Sequence, residues 1–142
     1  MKNAKKITRL HLDSSSSEEF IVIGLVSSEP DYKLSLAINR KFGISLKNTT
    51  ALKSPEGSDE YSRFATVNSS GISYSLVANK SEKNLLFKKL KNIDFLFIVH
   101  DPDNMTRREE IVSSVRQTDF INGVFYIDQS LMKENKFQLL IH

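Results

Sequence analysis

The chain contains no cysteine, so disulfide frameworks, thiolate nucleophiles and sulfur-rich zinc sites are all excluded. Its five glycines stand apart from one another, and no glycine loop able to cradle a phosphate is present. Long apolar runs are missing as well. The stretches around Ile21–Val26 and Phe95–Val99 are far too short to cross a bilayer. Met1–Asp13 carries lysines but lacks the apolar segment of a signal peptide. A cytoplasmic location with no membrane partner is therefore the expectation.

Charge of one sign is not concentrated. Twenty Lys and Arg against 17 Asp and Glu leave a net charge of +3. Lys2, Lys5, Lys6, Lys80, Lys83, Lys88, Lys89 and Lys91 supply the bias, with acidic residues interspersed. A polyanion partner is favoured only slightly by such a balance. What the 142 residues do have is enough apolar material for one domain: 39% hydrophobic and 26% charged places them outside the disordered class. Residues 1–6 are expected to be flexible.

Hydrophobic period orders the rest. Residues 5–12 alternate and read as a short edge strand, and residues 13–19, with four serines, as a loop. Phe20–Val26 is nearly all apolar and rich in β-branched residues, which suits a central strand buried on both faces. Ser28–Phe42 reads as a helix. Ser28 can cap it, Pro30 and Asp31 suit its first turn, Leu34, Ala37, Ile38 and Phe42 form one stripe, and Gly43 stops it. Residues 44–60 read as a loop.

Residues 61–67 and 72–78 form a predicted hairpin around the turn residues 68–71. Lys83–Lys91 reads as a short helix or an extended arm packing Leu85, Leu86 and Leu90. Phe95–Val99 is a second buried strand. Thr106 and Glu109 match a capping box that opens a helix to Gln117, with Ile111, Val112 and Val115 as its stripe. Val124–Ile127 is a last strand, and the apolar tail 136–141 is expected to dock. Together these elements predict one α+β domain: a two-layer sandwich, mostly antiparallel, with two main helices on one face, a ferredoxin-like variant.

Candidate chemistry is sparse. His100, Asp101 and Asp103 follow a buried strand, where an imidazole and two carboxylates can meet a divalent ion. The plainer reading is a turn, since one loop rarely supplies convergent ligands, and no metal is expected. Asp31 and Tyr32 start the first helix, whose N-terminus can hold an anion; Asp31 as a capping group and Tyr32 packed on the sheet is the plainer account. Asn39, one turn before Gly43, can meet a ligand or, more simply, a neighbouring backbone group. Arg63 with Tyr61, Phe64 and Tyr74 can make an aromatic and basic sheet face of the kind that binds RNA, although most strand aromatics are packing. Lys83, Lys88, Lys89 and Lys91, with Arg63, are the candidate basic patch. His11, His100 and His142 lie far apart, and no nucleophile, base and orienting group assemble. No catalytic residue and no cofactor is expected.

Several segments also carry a likeness. Phe20–Leu46 has an apolar strand, then Asp31, Tyr32, Lys33 and Leu34 at the helix start, and Asn39, Phe42 and Gly43 at its end. Residues 61–64, 74–80 and 125–128 add to the pattern. The chain in this respect resembles the bacterial IPExxxVDY family over residues 7–137. At the eponymous motif only Ile93, Asp94 and Phe95 keep the hydrophobic, Asp, aromatic ending. Lys88 and Lys89 stand at the Pro and Glu positions, so any function of that pair is lost here. The resemblance implies a bacterial cytoplasmic setting and an intact fold, and it implies no activity, cofactor or catalytic residue. The expected role is a non-catalytic module that binds another protein or its own copy. Nucleic-acid or nucleotide binding through the lysine-rich surface is the alternative.

Overall fold

A computed structural model of the chain describes residues 20–54, 57, 59–103 and 106–128. The expected strand at 5–12, the serine loop, the flexible residues 1–6 and the docking tail 136–141 lie outside the described residues.

Strand β1 is Phe20–Val26, helix α1 is Asp31–Phe42, and β2 is Lys47–Lys53. Strands β3 (Glu60–Val67), β4 (Ser73–Ala78) and β5 (Phe95–His100) follow. Helix α2 (Arg108–Arg116) and strand β6 (Gly123–Tyr126) complete the described fold. The strands form one sheet in the order β2-β3-β4-β5-β1-β6, and every neighbouring pair is antiparallel. With β2 and β3 set aside, β6-β1-β5-β4 is the split β-α-β pattern of a ferredoxin-like sheet. The expected α+β sandwich is what forms.

Alternation along the strands sends side chains to two faces. The first face buries Ile23 and Leu25 of β1, Phe97 and Val99 of β5, and Tyr74 and Leu76 of β4. Leu34 and Ile38 of α1 and Ile111 and Val115 of α2 close over it, so both helices share one face. The second face buries Val22, Leu96, Ile98, Val77 and Tyr61. No described helix covers these. The segment 79–94 does, laying Leu86, Phe87 and Ile93 on the sheet. This double cover explains why β1 and β5 are apolar at almost every position. It also explains Gly24. A Cβ there would stand 2.8 Å from the Ile93 Cδ1, so only glycine admits Ile93 this close without a shift.

The turn residues act as read. Asn68 Oδ1 accepts from the N–H groups of Ser70 and Ile72, and Gly71 takes φ 85°. Gly43, at φ 67°, ends α1 and donates to the Asn39 carbonyl.

Three expectations are corrected. Residues 44–60 are not all loop, because β2 pairs with β3 through most of its length. Only Leu52 of β2 is buried, so this edge strand has no apolar period to reveal it. Ser28 does not cap α1; Pro30 holds the N-cap position and its carbonyl accepts from Leu34. The capping box does not form either. Helix α2 begins at Arg108, and the Thr106 N–H donates instead to Asp101 Oδ2. Of the two forms expected for 83–91 the arm is found, with Leu86 and Phe87 as its buried anchors and Leu90 partly buried.

Candidate functional site

The residues singled out in the sequence do not converge. His100 closes β5 opposite Phe20 of β1, while Asp31 and Tyr32 follow the other end of β1. Asp31 Oδ1 accepts from the Tyr32 N–H, so Asp31 serves the helix start. Tyr32 does not pack on the sheet as expected; it is 62% exposed, because its helix position points away from the Leu34–Ile38 stripe. Asn39 is a clamp. Its Oδ1 accepts from the Leu46 N–H at 2.7 Å and its Nδ2 donates to the Leu46 carbonyl, tying the helix end to the start of β2. Asp101 is buried and anchors Thr106, whereas Asp103 lies exposed in the following turn. No group of three His, Asp or Glu able to hold a metal ion occurs among the described residues.

Burial raises the Tyr74 phenol above its ordinary pKa, and the nearby Asp101 carboxylate adds to the shift. The folded state thus holds this proton more tightly than the unfolded chain does. Its contribution to stability is full below pH about 10 and is lost as pH rises through the folded pKa. Tyr74→Phe is expected to remove this part of the alkaline loss of stability, read as a smaller fall in Tm between neutral and alkaline buffer.

The expected RNA-type face also divides. Phe64 and Tyr74 point to the helices, and Tyr61 is 2% exposed beneath the arm. Arg63 alone of that set lies on the half of the second face that the arm leaves uncovered. There the strands form a groove enclosing about 450 Å³. One rung runs Phe20, His100, Ser73, Val67 across β1, β5, β4 and β3. The next runs Ile98, Ser75, Ala65, Lys47 as far as β2. Arg63 and Thr49 make the third on the β3–β2 side. Small side chains at Ser73, Ser75 and Ala65 form the floor, and larger ones rise on either side. The Phe20 and His100 rings stack with centroids 4.3 Å apart and planes 15° apart. The Arg63 Nε donates to the Thr50 carbonyl. No carboxylate lines this groove among the described residues.

Lys83, Lys88, Lys89 and Lys91 project from the arm, whose buried side packs on the same second face. The basic residues therefore share one side of the sheet, Arg63 in the groove and the lysines on the arm. What remains of the motif-like segment is architectural. Ile93 packs against Gly24, Asp94 Oδ2 accepts from the Ser27 N–H, and Asp94 Oδ1 pairs with Lys80 at 2.7 Å.

The two sheet edges differ. Strand β2 carries Lys47 and Lys53 and a register shift between Thr49 and Leu52. Strand β6 reads Gly-Val-Phe-Tyr, with Phe125 52% and Tyr126 44% exposed. The Arg108 guanidinium lies 4.5 Å from the centre of the Tyr126 ring. Phe120, in the turn before β6, adopts φ 73° and stands beneath the Lys33 ammonium. Sequence reading missed the groove and this edge, since both depend on which strands become neighbours.

These features define an α+β protein with an antiparallel sheet, a cationic sheet groove and one aromatic edge. Comparisons with protein-family models, curated proteins and solved structures find no match for this chain. No described helix is long and apolar enough to cross a membrane.

Proposed function

We propose that this chain is a non-catalytic module that associates with protein, and first of all with a second copy of itself, along the edge of β6, beyond which no described strand lies. One observation carries the reading: β6 lacks the devices that protect β2. Natural sheets blunt their edges with lysine, bulges or cover. Edge β2 has two lysines and a bulge, whereas β6 has no charged residue and presents two half-exposed aromatics. Among the described residues no strand lies beyond β6. An antiparallel edge can pair with its own copy about a two-fold axis, with main-chain hydrogen bonds for affinity and aromatic anchors for register. The proposal includes a bacterial cytoplasmic setting and kinship with the IPExxxVDY family, supported by the likeness of Phe20–Leu46 and Ile93–Phe95.

Light scattering on a sizing column tests it. The mass is expected to pass from monomer to dimer between about 1 µM and about 1 mM, the span over which weak complexes dissociate. Phe125→Lys should keep the protein monomeric throughout with little change in Tm, because Phe125 is half exposed. A strict monomer at the highest concentration, with no protein co-purifying, would refute the reading.

A further inference from the structure

We propose that the outer ridge of the arm binds the phosphate backbone of double-stranded nucleic acid without regard to sequence. The inference is separate from the β6 edge. It rests on where the excess charge of the chain sits, on how the arm holds it, and on which side chains the arm keeps from its surface.

Five lysines against Glu82 and Asp94 give residues 79–94 a net charge of +3, which is the whole excess of the chain. Everywhere else basic and acidic residues balance. Lys80 is spent within the arm, where it pairs with Asp94 at 2.7 Å. Lys83, Lys88, Lys89 and Lys91 are exposed and enter no ion pair among the described residues.

The backbone fixes the last three of these. The Leu90 N–H donates to the Phe87 carbonyl and the Ile93 N–H to the Leu90 carbonyl, which closes two successive turns. Lys88 and Lys89 stand at the corners of the first turn, and Lys91 with Asn92 at those of the second. Leu86, Phe87 and Ile93 are buried on the sheet beneath, and Asn79 Nδ2 donates to the carbonyls of Leu90 and Ile93. Three ammonium groups therefore project from one anchored ridge, whose backbone is already ordered before a partner arrives.

The surface chemistry selects the occupant. The one aromatic of the arm, Phe87, is 1% exposed, so the ridge offers no ring for the base stacking on which single-strand binding depends. The arm has no arginine, whose planar fork suits the carboxylates of an acidic protein, whereas lysine meets a phosphate as a point charge. Leu86, Phe87 and Ile93 are buried, and Leu85 and Leu90 partly so, which leaves little apolar surface to enter a bilayer. A duplex is the densest of these polyanions and presents its phosphates in rows. Phosphate contacts carry no base information, so the ridge does not read sequence.

Fluorescence anisotropy on the whole chain with a short labelled DNA duplex is the test. Binding is expected at about 20 mM salt, and log affinity should fall against log salt with a slope of about −2.7, at about 0.9 for each of three phosphate contacts. Lys88→Gln, Lys89→Gln and Lys91→Gln should each make the slope shallower by about 0.9. The triple variant should lose binding and keep its Tm, because all three side chains are exposed. Lys41→Gln, on α1 over the opposite face, should change neither slope nor affinity. Two duplexes of unrelated sequence should bind alike. No binding at low salt would overturn the proposal, as would a triple variant that binds like the parent or tighter binding to a single strand of equal length. Competition by oligoglutamate as effective as that by unlabelled duplex would overturn it in favour of an acidic protein partner, and stronger retention on phosphatidylserine vesicles in favour of a membrane surface.

Discussion

Asn79→Ala is expected to lower the free energy of unfolding by about 3–5 kcal/mol, an effect close to the whole margin of many small domains. Asn79 has no exposed surface. Its Nδ2 donates to the carbonyls of Leu90 and Ile93, and its Oδ1 accepts from the Phe87 N–H. Its own N–H and carbonyl bond to Asp94 and Leu86. One side chain thus satisfies three backbone groups of a segment that has no regular ladder of its own. Alanine leaves all three without this partner beneath the arm, and a buried unpaired group costs about 1–3 kcal/mol. Urea unfolding should show the loss. Hydrogen exchange should show it concentrated at Leu86, Phe87 and Ile93, with α1 and α2 less affected. Asn79→Asp should do no better, since a carboxylate cannot donate to the two carbonyls. A loss under 1 kcal/mol would mean that the arm is held by its apolar anchors and the Asp94 contacts without help from the Asn79 side chain.

Phe97→Ala is expected to cost about 3–5 kcal/mol by another route, the cavity it leaves. Phe97 is fully buried at the centre of the helix-covered face. Its ring centre lies 5.4 Å from that of Phe42 on α1 and 6.1 Å from that of Tyr74 on β4. Truncation therefore removes one of the ring contacts that join the helix end to the sheet, leaving that of Phe42 with Tyr74, and the surrounding strands are too constrained by their ladders to collapse into the space. Phe97→Leu should recover roughly half of the loss, because it restores most of the volume. Here exchange should rise first in α1 and β4. The two variants together locate stability on opposite faces of one sheet.

Elements whose own residues carry a periodic apolar signal were legible in the chain. The nearly continuous apolar run Phe20–Val26 announced a central strand and Phe95–Val99 a second buried one. Leu34 and Ile38, and Ile111 and Val115, announced helices that share a face. Asn68 and Gly71 marked the hairpin turn, and Gly43 the end of α1. Cap residues were less informative, because Ser28 and Thr106 match a local pattern that competes with Pro30 and with Asp101 for the same backbone groups. Of the candidate site residues, Asp31, Asn39 and Asp101 proved to hold backbone groups.

By itself, then, the sequence determined the class of fold, the buried strands, the helix faces and the absence of thiol chemistry. Those follow from residue type and spacing, which act within a few residues of the chain. Only the tertiary structure decided that Lys47–Lys53 becomes a strand, that residues 79–94 cover the second face without a helix, and that Phe20, His100, Arg63 and Lys47 border one groove. Each of these depends on which strands lie side by side: β2 gets its hydrogen bonds from β3, and the groove exists because β1, β5, β4, β3 and β2 are neighbours. Contacts between residues so distant along the chain leave no periodic trace in it.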